Sequence, residues 1–322
     1  MASDTASSLR GVRSSELDPM VVYIAGTGRN GSTLLGMLLE HSSESFFAGE
    51  LTHVWQRSLI EDQLCGCGAP FTQCSFWRAV IREAFGAPSR QEIESIVRLR
   101  NRISSFRKIP ALVFRSKRQI DRVPTQDERE YGDLYRTLVL AVSKTSGKNC
   151  VIDSSKYPTD LAAIYRCKIL PVKVIHLIRD CRAVVYAWKK QKRRPEIYWV
   201  EQNMPRYTSF QTALAWRLFN QTTERLFDPS KDQYRFLKYE AFVEEYPSSL
   251  ASLIDWIVGE RSNYLGSSKG ENHTVSGNPC RFDFDFNRIQ LDETWKENLS
   301  FLDRQIVLRI CGSLQRRYGY VD

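Results

Sequence analysis

Eight consecutive residues, Gly26-Thr27-Gly28-Arg29-Asn30-Gly31-Ser32-Thr33, combine three glycines, one cation and three hydroxyls. Glycines let the backbone fold so tightly that successive N–H groups can point at a single anion. A helix opening near Thr33 adds the positive end of its dipole. The spacing from Gly26 to Gly31, followed by Ser32-Thr33, nearly matches the phosphate loop of nucleotide triphosphatases, but Ser32 stands where that motif needs lysine. Triphosphate hydrolysis relies on that lysine and on Mg²⁺, so the loop points to another phosphate-bearing ligand. A second chemical cluster is Cys65, Cys67 and Cys74. Structural zinc wants four ligands, and the sequence offers only a distant partner such as His53, so the expectation is a thiol-rich loop or one local disulfide, with no metal.

These residues need a scaffold, and the pattern around them supplies one. Val21 to Ala25 is a short β-branched run ending at the glycine loop, and Leu34, Leu35, Leu38 and Leu39 then recur at helical spacing. Further strands are expected at Cys150–Asp153, Val172–Ile178 and Tyr234–Tyr239, each followed by a helical pattern. Such alternation predicts a parallel sheet covered on both faces. Residues 78–149 are Arg-rich and helical in pattern, read as an insertion between the first and second strands. Thr208–Phe227 and Asp303–Tyr318 read as long helices. His176 falls inside an apolar strand and reads as a satisfied core residue.

The chain has 322 residues with a net charge of +9. Its 42% hydrophobic content excludes global disorder, and no run is long enough for a membrane helix. Residues 1–19 are Ser-rich, without the apolar core of a secretory signal, and read as a flexible tail. The basic excess favours an anionic partner. Arg98, Arg100, Arg102, Arg107, Arg115, Arg118 and Arg122, with Lys108 and Lys117, read as a solvated face or as a rim that attracts anions, and Lys189–Arg194 is a second such run.

The segment strand-GTGRNGSTLL-helix resembles the 5′-phosphosulfate loop of sulfotransferases that use 3′-phosphoadenosine 5′-phosphosulfate (PAPS). IHLIRDCRAVVYAW, Ile175–Trp188, resembles their element for the donor's 3′-phosphate, and a guanidinium fork suits two phosphate oxygens. FAGEL (Phe47–Leu51), DSSKYP (Asp153–Pro158), KYEAFVEEYPSSL (Lys238–Leu250), NHTVSGNPCRF (Asn272–Phe282) and CGCGAPFTQCSFW (Cys65–Trp77) resemble further segments of the bacterial-type members, related to the tyrosylprotein and carbohydrate branch. The resemblance implies an α/β, P-loop-like three-layer fold, a central parallel sheet flanked by helices, with 20–322 a single domain carrying the 78–149 helical insertion.

It also implies roles. Glu50 would be the general base, a carboxylate whose pKa a closed site raises. Arg29 and Lys156 would stabilise the sulfuryl oxygens and the leaving group. Donor contacts would come from Thr27, Gly28, Arg29, Asn30, Gly31, Ser32 and Thr33, from Arg179 and Tyr239, and from Ser276 and Arg281 in the late loop. The family's serine eight residues after the arginine is replaced here by Ala187, so a 3′-phosphate contact would be lost or supplied elsewhere, with Arg281 and Arg182 as the candidates. His273 falls in the late loop and could stand near the donor. The donor would be PAPS and the product 3′,5′-ADP, with no metal, in a cytoplasmic enzyme. The acceptor would be a small molecule, carbohydrate or peptide bearing a hydroxyl or amine, met by 52–149 and 190–215. There Trp55, Trp77, Tyr198, Trp199, Tyr207 and Phe210 suit an acceptor or a plain core. A P-loop-like nucleotide kinase is the alternative, against which the missing lysine speaks. A nucleic-acid binder is suggested by charge alone, without a helix-turn-helix, zinc-finger or RNP signature.

Overall fold

An apolar run with no polar alternation must be enclosed on every side, and β1 (Met20–Ala25) is: Val21 to Ala25 are wholly buried. The computed structural model describes residues 18–40, 45–109, 112, 121–227, 231–259, 271–285 and 289–320. β1 pairs on one edge with β3 (Cys150–Lys156) and on the other with β4 (Val172–Ile178). β2 (Ser45–Gly49) lies beyond β3 and β5 (Tyr234–Lys238) beyond β4. All pairings are parallel, in the order β2-β3-β1-β4-β5.

The pleat sends alternate β1 side chains to two different cores. Val22 and Ile24 meet α1 (Ser32–Glu40) and α9 (Ser248–Val258) through Leu35, Leu38, Leu253 and Ile254. Val21, Tyr23 and Ala25 meet α4 (Gln126–Ser146) and α5 (Pro158–Cys167) through Tyr135, Leu138, Val142 and Leu161. α2 (Ser75–Phe85) and α3 (Arg90–Ile103) join that second core through Trp77, Val80 and Ile93. A third cluster beside the end of β4 unites α6 (Cys181–Lys189), α7 (Ser209–Leu226) and α11 (Phe301–Arg317) around Trp216 and Cys311. The short helices α8 (Tyr239–Glu244) and α10 (Trp295–Asn298) complete the chain.

Local sequence sets the boundaries. α3, α4 and α7 each open on a reciprocal capping box, Ser89/Glu92, Thr125/Glu128 and Thr208/Gln211, which satisfies two orphan N–H groups at once. Pro158 sits in the first turn of α5, where its missing N–H costs nothing.

The four expected strands are present and a fifth, β2, was missed, because SFFAG follows a helical pattern directly. The described residues of 78–149 are largely helical and pack into the core. α4 is the crossover from β2 to β3 and forms one covering layer of the sheet. Three of the arginines singled out in that segment are partnered: Arg100 with Asp160 at 2.9 Å, Arg102 with Asp127 at 3.0 Å and Arg122 with Glu128 at 2.6 Å. Arg115, Lys117, Arg118 and residues 1–17 lie outside the described residues. Among the described residues no helix is long and apolar enough to cross a membrane. His176 is buried between the Tyr234 hydroxyl at 2.6 Å and Asn220 Oδ1 at 3.1 Å.

Asp153 ties β2 to β3 at their carboxyl ends. Wholly buried, it accepts from the amides of Leu51 (3.3 Å) and Ser155 (2.8 Å), from the Ser155 hydroxyl, and from the Tyr135 hydroxyl (2.9 Å). Burial pushes its carboxyl up to about 6 against the pull of these donors. Asp153→Ala strands four buried donors, and urea unfolding is expected to show a loss of about 3 kcal/mol or more; a change within experimental error would remove Asp153 as the tie.

Candidate active site

In a parallel sheet all carboxyl ends lie on one side, and the loops leaving them form the natural ligand cleft. Every strand here delivers a chemically capable residue to that side. β1 leads to the glycine loop and Arg29, β2 to Glu50, β3 ends on Lys156, β4 leads to Arg179 and β5 to Tyr239.

The glycine loop is pinned from inside. Asn30, fully buried, donates through Nδ2 to the Leu177 carbonyl at 2.9 Å and accepts from the Ser32 amide at 3.2 Å. Thr27, Ser32 and Thr33 are buried with it. Gly31 has φ +96°, and a Cβ there would stand 2.3 Å from the Tyr239 ring, so no larger residue fits. Gly28 packs on the Trp188 ring. Arg29, at φ 69°, lies over Trp188 at 4.8 Å with Nη2 2.7 Å from Met204 Sδ.

Arg179 is buried and stacks on the Tyr239 ring at 4.8 Å. Its two hydrogen bonds go to carbonyls, those of Arg29 (3.3 Å) and Asp292 (3.2 Å), and among the described residues no carboxylate forms an ion pair with it. By contrast, Arg182 is held by Asp180 at 2.7 Å.

Glu50 and Lys156 form the reactive pair. Two irregularities aim them: β3 holds one extra residue opposite β1 between Asp153 and Lys156, and β2 one extra opposite β3 between Phe47 and Gly49. Lys156, at φ 73°, donates to Glu50 Oε1 at 2.5 Å and to the Ser154 carbonyl at 2.7 Å. The other Glu50 oxygen faces His53 Nε2 at 3.6 Å and Arg57 Nη1 at 3.5 Å. The expected raised pKa is therefore corrected. Burial does push the Glu50 carboxyl up, but Lys156, His53 and Arg57 together outweigh it and hold the group at about 2.

The late loop closes over this pair. The Glu50 amide donates to Val275 O at 2.8 Å and Val275 N to Ala48 O at 2.9 Å. Asn278 N donates to Thr33 Oγ1 at 3.3 Å. Ser276, at φ 56°, is buried, and its hydroxyl has no hydrogen-bond partner. Arg281 is buried too, but its guanidinium donates to the carbonyls of Thr274 and Leu64, the latter at 2.9 Å, which makes it a brace of the loop. Burial lowers its guanidinium to about 10.

Sequence reasoning missed the role of Asp153, although DSSKYP contains it, and missed His53, Arg57 and Met204 as neighbours of the charged groups. His53 and Arg57 stand three and seven residues beyond Glu50, on successive helical turns, and that spacing was the available signal. Trp55 and Trp77 are core, whereas Tyr198, Trp199, Tyr207 and Phe210 are exposed.

Removing the Lys156 charge leaves burial opposed only by His53 and Arg57. Lys156→Met is therefore expected to move the Glu50 titration upward from about 2, read by carbon-detected NMR of labelled glutamate carboxyls. An unmoved titration would show that the lysine does not control the carboxylate.

No family model matches the chain and no curated protein matches it. Among solved structures it is similar to a sulfotransferase domain from the olefin synthase of Synechococcus PCC 7002, at 17% identity over 97% of this chain and 98% of that one, with a TM-score of 0.49. It is also similar to a sulfotransferase domain from the curacin biosynthetic pathway, at 15% identity over 95% and 99%, with a TM-score of 0.45. Likenesses this low leave the reading of the site to its own geometry.

Proposed function

We propose that the protein is a PAPS-dependent sulfotransferase acting on a hydroxyl or amine acceptor. The observation that carries this reading is the convergence of Arg29, Glu50, Lys156 and Arg179, one from each of four neighbouring parallel strands, around a phosphate loop that lacks the triphosphatase lysine. The residues fit such a donor: Arg29 Nε, Arg179 Nε and Ser276 Oγ are buried polar atoms without a partner in the protein. Bound PAPS would supply a sulfuryl group whose sulfur gains a bond to the acceptor and loses its bond to the 5′-phosphate, giving 3′,5′-ADP.

The chain's own groups divide the work. The amides of Gly28 to Thr33, with the opening turn of α1, hold the 5′-phosphosulfate. Arg179, whose fork is engaged only by carbonyls, binds the 3′-phosphate. Arg182 is committed to Asp180, whereas Arg281 donates to the carbonyls of Thr274 and Leu64 and keeps a buried Nε without a partner, so of the two it is the one left to answer the contact missing at Ala187. Lys156 is paired with Glu50 when the site is at rest, and in that pairing Glu50 is too acidic to be a good base. A turn of Nζ toward an anionic leaving oxygen frees the carboxylate, and burial then raises its proton affinity for the acceptor proton. One lysine thereby couples leaving-group stabilisation to activation of the base. The exposed aromatics of 198–210 adjoin the loop through Tyr207, which packs on Trp188 at 5.0 Å, and offer an acceptor platform. Eight free thiols support a reducing, cytoplasmic setting.

Three measurements test this reading. In thermal shift, 3′,5′-ADP is expected to stabilise the protein and ATP-Mg²⁺ is not; the reverse pattern would favour a kinase. Arg179→Ala should weaken 3′,5′-ADP binding about tenfold or more while leaving 5′-AMP binding nearly unchanged. In transfer from labelled PAPS to a panel of sugars, phenols, alcohols and tyrosine peptides, Glu50→Gln and Lys156→Ala should each lower turnover by at least about 10². Near-full activity in either folded variant would remove that residue from the mechanism.

A further inference from the structure

The thiols of Cys65, Cys67 and Cys74 and the imidazole of His273 offer four ligand atoms that all lie within 4.8 Å of one another. We propose that these four residues form a structural zinc site that fastens the late loop beside Glu50. The ligand set is three soft sulfurs and one imidazole, which suits zinc and disfavours the oxygen-seeking Mg²⁺ and Ca²⁺. Zn–S bonds of about 2.3 Å and Zn–N bonds of about 2.0–2.1 Å make a tetrahedron with edges of roughly 3.5–3.8 Å. His273 Nδ1 already stands 3.8 Å from Cys65 Sγ and 3.4 Å from Cys74 Sγ. The three cysteines are free of disulfides, and Cys65 and Cys74 are buried.

The backbone that presents these ligands is built for proximity. Cys65 N donates to Ala69 O and Gly68 N to Cys65 O, both at 2.9 Å, which closes a tight turn with Gly68 at φ +86°. Gly66 donates to Thr274 O at 2.9 Å, and a Cβ at Gly66 would stand 2.3 Å from Asn272 Oδ1, so the Cys-Gly-Cys turn lies directly against the residues that flank His273. Arg281 donates to the carbonyls of Leu64 and Thr274, the neighbours of Cys65 and His273, and so braces both ligand-bearing segments.

The imidazole is oriented as a ligand should be. Its far nitrogen, Nε2, is 3.5 Å from Glu271 Oε2, a carboxylate–histidine pairing that leaves Nδ1 facing the sulfurs. Its ring stacks on Phe76 at 4.8 Å and 8°, and Trp77 Nε1 donates to the His273 carbonyl at 2.6 Å. His53, weighed from sequence as the fourth ligand, faces Glu50 instead, and His273, weighed as a donor-side residue, belongs to the thiols. The expectation of no metal gives way, in this proposal, to a Cys₃His site.

The place of the site gives it a purpose. His273 is two residues from Val275, whose N–H and C=O hold Ala48 and Glu50. A metal here would fix that loop to the segment following Glu50. This inference stands on the ligand geometry and does not depend on the sulfuryl-transfer reading.

The 322-residue protein purified without a polyhistidine tag or chelator is expected to contain about one zinc per chain by plasma mass spectrometry. Mercurial titration of the thiols should release it. Cobalt loading of the metal-depleted protein should give the visible bands of a tetrahedral thiolate site. Cys67→Ser changes the half-buried ligand and is the variant best placed to stay folded; it should lower zinc affinity at least about tenfold, and Cys167→Ser, outside the cluster, should not. Loss of zinc should speed hydrogen exchange in 272–278. Wild-type protein that neither carries nor takes up stoichiometric zinc, that carries a different metal, or that yields a disulfide among Cys65, Cys67 and Cys74 on peptide mapping would overturn the proposal. So would full zinc affinity in Cys67→Ser.

Discussion

A wholly buried carboxylate, Asp153, sets the relation between the two strands on which the charged pair rests. It accepts the amide of Leu51, immediately after Glu50, and both the amide and the hydroxyl of Ser155, immediately before Lys156. A charge-assisted bond to each side fixes the two backbones more firmly than a packed apolar contact would, because a slipped register would leave donors unpaired in a dry interior. The extra residues in β2 and β3 fall at this same point. Of the five described non-glycine residues with positive φ, three are Arg29, Lys156 and Ser276, so the backbone is held in its less comfortable region where the side chains must be aimed.

The net charge of +9 divides into two populations. Away from the sheet's carboxyl edge, several arginines find acids: Arg100 meets Asp160, and Arg122 and Arg166 meet Glu128. At the carboxyl edge of the sheet, Arg29 and Arg179 instead rest on aromatic rings and make their hydrogen bonds to neutral groups. A guanidinium supported in this way keeps its field for an incoming anion, whereas one already paired with a carboxylate offers little. The distinction is one of partners, which no count of basic residues contains.

Much of the scaffold was legible because it is written in local pattern. β1 is a continuous apolar run and β4 an almost continuous one, and the glycine loop sits where strand turns to helix. Glu50, Lys156, Arg179 and Tyr239 were found by resemblance, and the structure brings them to one edge. Three things were not legible. β2 comes directly after the helical pattern of α1, which hides it. The acidity of Glu50 depends on which groups surround it, and of these only Lys156 had been placed beside it. His273 is 199 residues from Cys74, so no local spacing connects it to the thiols. The bracing by Arg281 of the Leu64 and Thr274 carbonyls, 217 and 7 residues away, was equally invisible to local spacing.

β2 is an outer strand of the sheet, and its free side is met at the carboxyl end by the parallel bridge between Gly49 and Val275. Two hydrogen bonds make that bridge, Val275 N to Ala48 O and Glu50 N to Val275 O. Any excursion of the late loop that admits a ligand also strips these two groups and bares the end of an apolar strand, the kind of edge that recruits a second sheet. Access to the cleft and resistance to edge-to-edge aggregation therefore draw on the same short stretch of backbone.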